Sequence, residues 1–260
     1  MIKPETATST TGDREYLQLD ATGLTHQELN ALLRKATSDG VKRLELRNVF
    51  GQRYIGTDLG RAVDIDIYGT PGNDLGAFMD GPRFRVYGNA QDGCGNTMNE
   101  GEIVVYGHAG DTIGLSARGG KIFVRENAGY RAAIHMKEYQ DKKPALVIGG
   151  TSQDFLGEYM AGGIVVVLGL DLKKGERHGA RFIGTGMHGG VIYLRGEVEK
   201  YQLGKEVGVK ELEDGDWALL GNLVGEFARH FDYQVGELLQ GKFIKLIPLW
   251  LRPYGRLYAY

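Results

Sequence analysis

The sequence predicts a mainly β protein built as a parallel β-helix, a single-chain solenoid of about seven stacked coils with short helical flanks. Three observations carry that expectation. Short β-branched runs recur through the middle of the chain. The pairs Tyr68-Gly69, Tyr87-Gly88 and Tyr106-Gly107 are each nineteen residues apart, and Arg125 falls nineteen further on. Glycine supplies 41 of the 260 residues, about twice its usual share.

The N-terminal stretch MIKPETATSTTGDREY is polar and has no apolar h-region, so it reads as a short disordered lead and not a signal peptide. Thr25-His-Gln-Glu28 is a capping box ahead of LNALLRKATSDG. Thr25 and Glu28 suit the first turn of a helix, Leu29, Leu32 and Leu33 supply one apolar face, and Gly40 is a natural stop. Residues 1–50 hold three glycines, residues 51–200 thirty and residues 201–260 eight. The chain therefore divides into a lead and capping helix (1–40), a glycine-rich repeat (41–200) and a C-terminal segment (201–260).

Within the repeat, extended runs fall at Leu44–Arg47, Val63–Tyr68, Phe84–Tyr87, Ile103–Tyr106, Ile122–Arg125, Ala145–Ile148, Ile164–Leu168 and Val191–Leu194. Each is followed by Gly and an Asn/Asp/Gly-rich turn. Nineteen residues are too few for a strand–helix–strand crossover of about thirty, and no 3.6-residue period supplies a helix. One coil of a parallel solenoid fits, each coil pairing with its neighbours about 4.8 Å away. Corner positions then demand glycine, because backbones pass close together and φ turns positive. The expected turn glycines are Gly69, Gly72, Gly76, Gly88, Gly101, Gly107, Gly110, Gly114, Gly119, Gly120, Gly157, Gly162, Gly163, Gly184, Gly189 and Gly190. Two polar interruptions, Met136–Lys143 and Leu170–Phe182, read as surface excursions. After the repeat, DWALLGNLVGEFARHFDY reads as an amphipathic helix with Leu220, Val224, Phe227 and Phe231 on its apolar stripe. A final extended piece ends at Pro248, and an aromatic tail follows (250–260). Both flanks are expected to cap the open ends of the solenoid.

Composition excludes several functions. A formal net charge of −2 lacks the basic stripe of a nucleic-acid binder. No apolar run approaches the roughly 20 residues of a membrane span. Cys94 is the only cysteine, so no internal disulfide, CxxC pair or cysteine-ligated iron–sulfur cluster forms, and a reducing, cytoplasmic setting is expected. Gly184-Thr-Gly-Met-His-Gly189 matches G-x-G-x-x-G, but it leads into VIYLRG, a strand, whereas a dinucleotide site needs a helix N-terminus there. The six histidines (His26, His108, His135, His178, His188, His230) show no paired helical spacing for a metal. His178 and His188 alone are near enough in sequence to meet on the surface. Cys94 has no adjacent His to activate it and reads as a buried corner residue. Asp74, Asp92, Asp111 and Asp154 recur after strands, and read as turn residues bonding their own backbone. No catalytic, cofactor-binding or metal-binding residue is expected.

The phrases Gly69-Thr-Pro-Gly72-Asn-Asp-Leu-Gly76 and Gly107-His-Ala-Gly110-Asp-Thr-Ile-Gly114 share a G-x-x-G-x-x-x-G pattern, continued in Gly157–Gly169 and Gly184–Gly196. From about Leu44 to Pro248 the chain resembles the C-terminal glycine-repeat domain of the glutamate synthase large subunit, and the helix carrying ARHFDY followed by KFIKLIP is similar to the ending of that domain. The repeats also resemble the C subunit of formylmethanofuran dehydrogenase; FIKLIP favours the glutamate synthase side. The resemblance implies a right-handed parallel β-helix. It departs where the family's chemistry would lie: residue 1 is Met and not a nucleophilic Cys, the length leaves no room for a flavin-binding barrel, and the cluster cysteines are absent. It therefore implies a non-catalytic scaffold subunit of a split glutamate synthase, partnered by a glutamine amidotransferase subunit and a flavin/iron–sulfur synthase subunit, with FMN and the cluster on those partners. Two other expectations stand beside it: a scaffold for a formyl-transferring dehydrogenase, and a self-sufficient enzyme using a side groove, which would need clustered carboxylates. A homo-oligomer is compatible with each.

Overall fold

The computed structural model describes residues 15–250. A single sheet of eleven strands runs the length of the molecule in the order β1-β2-β3-β4-β5-β6-β7-β8-β9-β11-β10. The strands are β1 (Tyr16–Asp20), β2 (Arg43–Phe50), β3 (Asp64–Thr70), β4 (Asp80–Tyr87), β5 (Glu100–Val105), β6 (Lys121–Val124), β7 (Ala145–Ile148), β8 (Ala161–Val167), β9 (Gly189–Arg195), β10 (Val207–Lys210) and β11 (Phe243–Pro248). β1 to β9 pair in parallel, each with the next, and β11 and β10 close the array antiparallel. This is the expected parallel solenoid. The sheet also takes in β1 and β10, both outside the glycine-rich repeat of residues 41–200. Residues 1–14 of the lead and the tail beyond Trp250 lie outside the described residues; Tyr16, read as the end of a disordered lead, instead begins β1.

One inward line runs unbroken through the strands, past register shifts in the β2–β3, β4–β5 and β8–β9 pairs. Leu44 pairs with Ile65, then Phe84, Ile103, Ile122, Leu146, Val165 and Ile192 in succession. All of these point inward and are buried. A second line of contact is narrower: Ala90, Ala109, Ala128 and Ser152 bridge in parallel. Small side chains suit it, because the coil bends sharply there.

The third side of each coil is a turn with no strand, yet it is laddered too. The amides of Gly76, Gly95, Gly114, Ala133, Gly157 and Gly184 donate to the carbonyls of Ile55, Leu75, Cys94, Ile113, Ala132 and Leu156, one coil back, at 2.7–2.9 Å. Ile55, Leu75, Cys94, Ile113, Ala132, Leu156 and Ile183 thus form a buried column of seven rungs with six turns between the ends. Beside it runs a second buried column: Leu59, Met79, Met98, Ala117, Met136, Met160 and Met187. Met136 opens the charged run that reads as a surface excursion, and the structure corrects that expectation: the side chain completes the core, and the excursion begins after it. Unbranched thioethers fill the uneven space beside the glycine turns; the Met79 sulfur lies against Gly76 and the Met98 sulfur against Gly95.

A helix caps the N-terminal end, although Leu32, expected on its apolar face, is exposed. α1 (His26–Ser38) carries the Thr25/Glu28 capping box and buries Leu29 and Leu33 against the first coil. Asn30 fixes it by donating to the Arg53 carbonyl (3.2 Å) and accepting from the Gly56 amide (3.1 Å). α2 (Asp214–Phe231) forms where expected, but it is not an end cap. Leu220, Leu223, Val224 and Phe227 pack on Val104, Phe123, Val147, Val166 and Tyr193, the outward row of β5–β9. A sheet that is apolar on both faces must be covered on both, and α2 covers the half that is. The C-terminal end is closed instead by the 3₁₀ turn Lys200–Gln202, Leu203 and Val207. Gln202 donates to the carbonyls of His178 and Ala180, both at 2.7 Å.

Several glycines are required by the stacking distance. A Cβ on Gly88 would lie 2.4 Å from the Gly69 carbonyl oxygen, a rigid backbone atom of the neighbouring coil. Gly60 faces open space, with nothing within 4 Å of its Cβ position. Gly88→Ala is therefore expected to cost about 1–3 kcal/mol, while Gly60→Ala is neutral or stabilising by up to about 1 kcal/mol. Urea denaturation of the two variants beside wild type measures this; equal midpoints for both would contradict the stacking account.

Candidate functional site

The residues singled out for chemistry do not converge. Cys94 is fully buried in the core column, and burial pushes its thiol up to about 12. A thiol so far from ionising is neither nucleophile nor ligand. His178 and His188 do not form the surface pair their spacing allows. His178 is buried, its Nε2 2.9 Å from the Arg195 carbonyl oxygen, and burial pushes its pKa down; its ring anchors the excursion after β8 to the end of β9. His188 contacts the Gly186 carbonyl through Nδ1. His108 accepts the Asn127 amide at Nδ1 and reaches Glu126 through Nε2 (2.8 Å). His26 meets Tyr54 edge-on, His135 stacks on Tyr159, and His230 sits between Glu102 and Phe123. Among the described residues no three of His, Cys, Asp and Glu group as a metal site. The G-x-G-x-x-G phrase leads into β9, and Met187 within it points into the core.

The recurring acidic residues do something sequence spacing does not reveal. Asp92 accepts from the amide of Asp111 (2.9 Å), Asp111 from Tyr130 (2.8 Å) and Asp154 from Arg181 (2.8 Å). Asn89 and Asn127 do the same for His108 and Thr151. Each bonds the next coil, and not its own turn, so the side chains extend the backbone ladder where the strand has ended. Asp74 instead accepts from the Asn96 side chain (3.0 Å). The expected turn glycines accompany this ladder: the Cβ positions of Gly107 and Gly110 lie 2.1 and 2.3 Å from the Asn89 and Asp92 carboxamide and carboxylate oxygens.

Two outer surfaces remain. On the uncovered half of the sheet, charged rungs replace apolar ones. Asp66, 1% exposed, is gripped by Arg85 (2.6 Å) and Arg43 (3.0 Å), and Asp64 by Arg83 (2.6 Å). Beside them Tyr68, Tyr87 and Tyr106 stack at 4.6 and 4.9 Å, closed by Arg47 over Tyr68 at one end and Phe231 of α2 at the other. α2 is pinned by Asp216, which accepts from Tyr193 and from Lys245 (2.8 Å), and by a Lys121–Glu226 pair (2.6 Å).

The second surface is the turn face. In each coil two recurring turn positions beside the inward column hold positive φ. The first column is Tyr54, Asp74, Gly93, Thr112, Arg131, Phe155 and Phe182; the second is Asp58, Phe78, Thr97, Ser116, His135, Tyr159 and Gly186. Toward the C-terminal end these become contiguous rings: Phe155 stacks on Phe182 (4.9 Å), His135 on Tyr159 (5.4 Å), and Arg131 lies over Phe155 (4.6 Å). The glycine motif thus builds a scaffold and leaves its outer positions free to vary.

The GXGXG motif family matches residues 41–252. The chain belongs to that family. It is 48% identical over 254 residues to an uncharacterized protein of Methanocaldococcus jannaschii, covering 94% of this chain and 97% of that one. A shallow depression beside α1, lined by Ala21–Thr25, Asn48, Phe50 and Gln52, holds no titratable side chain. No helix among the described residues is long and apolar enough to cross a membrane.

Asp66 gives the charged half of the sheet a testable signature. Burial would raise its pKa, but the hydrogen bonds and charges of Arg85 and Arg43 outweigh burial and hold it below the ordinary value. A carboxyl lowered on folding contributes stability above its unfolded pKa, about 3.9, and loses it as pH falls through the folded value. The stability gap between wild type and Asp66→Asn is therefore expected to narrow as pH drops below about 4. A gap that stays constant in urea titrations across that range would contradict the ion-pair assignment.

Proposed function

We propose that this chain is a non-catalytic scaffold subunit of a split glutamate synthase. Its partners are a glutamine amidotransferase chain and a flavin/iron–sulfur synthase chain, which carry the FMN, the cluster and the reacting groups. The observation that carries this is the GXGXG match over residues 41–252, joined to the C-terminal helix and Phe243–Pro248 strand that resemble the glutamate synthase ending. The geometry suits the role. Every coil is hydrogen-bonded to its neighbours on all three sides, so the solenoid is a stiff body able to hold two partners at a fixed separation. The interior is filled by aliphatic and methionine columns, which leaves function to the outer surface.

Co-expression with the two candidate partner chains tests this. The expected result is a three-chain complex carrying flavin absorbance, with glutamine-dependent glutamate formation from 2-oxoglutarate that falls when this chain is omitted. Undiminished activity without it, or no co-elution, would overturn the assignment.

A further inference from the structure

We propose that His108 is a proton-sensitive rung of the coil ladder: its neutral ring ties the corner after β5 to the corner after β6, and its protonated ring releases that tie. The device belongs to this chain alone and needs no partner.

The column in which His108 stands supplies the argument. After β4, β5 and β6 the chain reads Gly88-Asn89-Ala90, Gly107-His108-Ala109 and Glu126-Asn127-Ala128. At each middle position the side chain accepts the backbone amide of the corresponding position one coil on. The Asn89 oxygen accepts from His108 (2.9 Å), His108 Nδ1 from Asn127 (3.3 Å), and the Asn127 oxygen from Thr151 (2.7 Å). A carboxamide oxygen accepts whatever the pH. An imidazole Nδ1 accepts only while it carries no proton, and histidine is the side chain that changes charge between about pH 5 and 8. The His108 rung is therefore tied to pH where its neighbours are not.

The groups around the ring keep it in place through that change. Nε2 lies 2.8 Å from one Glu126 oxygen, and Arg125 holds the other at 3.0 Å. Neutral His108, with its proton on Nε2, donates to Glu126 while Nδ1 accepts from Asn127, so both nitrogens are satisfied. The protonated ring still donates to Glu126, but its Nδ1–H then faces the Asn127 N–H, donor against donor. Among the described residues Glu126 is the carboxylate paired with this ring, and Asn89 and Asn127 on either side are uncharged. The rung is thus whole above the histidine range and lost below it. The backbone bonds beside it, from the Ala109 amide to the Asn127 carbonyl (2.9 Å) and from the Gly129 amide to the Ala109 carbonyl (3.1 Å), do not depend on the proton. The release is therefore local to the Asn127 amide.

Hydrogen exchange of the full chain, resolved by NMR and read as protection relative to the unstructured rate at the same pH, tests this between about pH 8 and 5. Ordinary carboxylates stay ionised over that range. The Asn127 amide is expected to lose protection about threefold or more as the His108 ring titrates. The His108 and Thr151 amides, held by Asn89 and Asn127, are expected to keep theirs. His108→Asn puts the neighbouring rungs' own residue in the same place, and its Asn127 amide is expected to stay equally protected across the range. Asn127 protection that holds steady while the ring resonances titrate, or a ring that does not titrate there at all, overturns the proposal. So does the same loss in His108→Asn, or an equal loss at the His108 and Thr151 amides. The wild-type measurement decides the matter if the variant fails to fold.

Discussion

The structure depends on one constraint: each coil must lie a single backbone spacing from the last on all three of its sides. Strands meet it by parallel pairing, as from Leu44 to Ile192. The turn side meets it with amide-to-carbonyl bonds from Gly76 to Ile55 through Gly184 to Leu156. The corners meet it with Asn and Asp side chains that reach the next coil's amides. Side chains pointing along the solenoid axis have no room, which is why Gly88 and Gly107 cannot carry a Cβ. Extra residues are accommodated only as loops between rungs, after Met136 and after Leu168, where they leave the ladder unbroken.

Much of this was legible in the sequence because the constraint is periodic. A fixed spacing of Tyr-Gly pairs places β3, β4 and β5 at once, and the Thr25/Glu28 box places α1. What was not legible is non-local. β1 has five residues and no glycine beside it, and its partner β2 lies beyond a helix. The apolar stripe of α2 shows that it packs but not on what; the deciding feature is the outward row Val104, Phe123, Val147 and Val166, which spacing along one coil does not separate from core. Met136 and His178 sit in polar runs, and only the coil stack shows that one fills the methionine column and the other bonds the Arg195 carbonyl. The Asp ladder is not legible for the same reason: a turn carboxylate and a coil-bridging one look identical in sequence.

The division of the outer surface follows from the same architecture. The sheet's outward face is apolar from β5 to β9, and α2 covers it. From β2 to β4 it is built from Arg–Asp rungs and stacked tyrosines that are already satisfied by one another. The turn face is the remaining surface, and its side chains are not fixed by the ladder. This solenoid is thus a body whose backbone ladder constrains the outer side chains of the turn face least.

The central claim is that the turn side is laddered as firmly as the sheet. Hydrogen exchange of the full chain tests it most directly. The amides of Gly95 and Gly114, bonded to the Leu75 and Cys94 carbonyls at 2.9 and 2.8 Å, are predicted to exchange as slowly as the strand amides of Ile103 and Ile122. Exchange at the rate of the exposed loop around Lys173 and Lys174 would contradict the account.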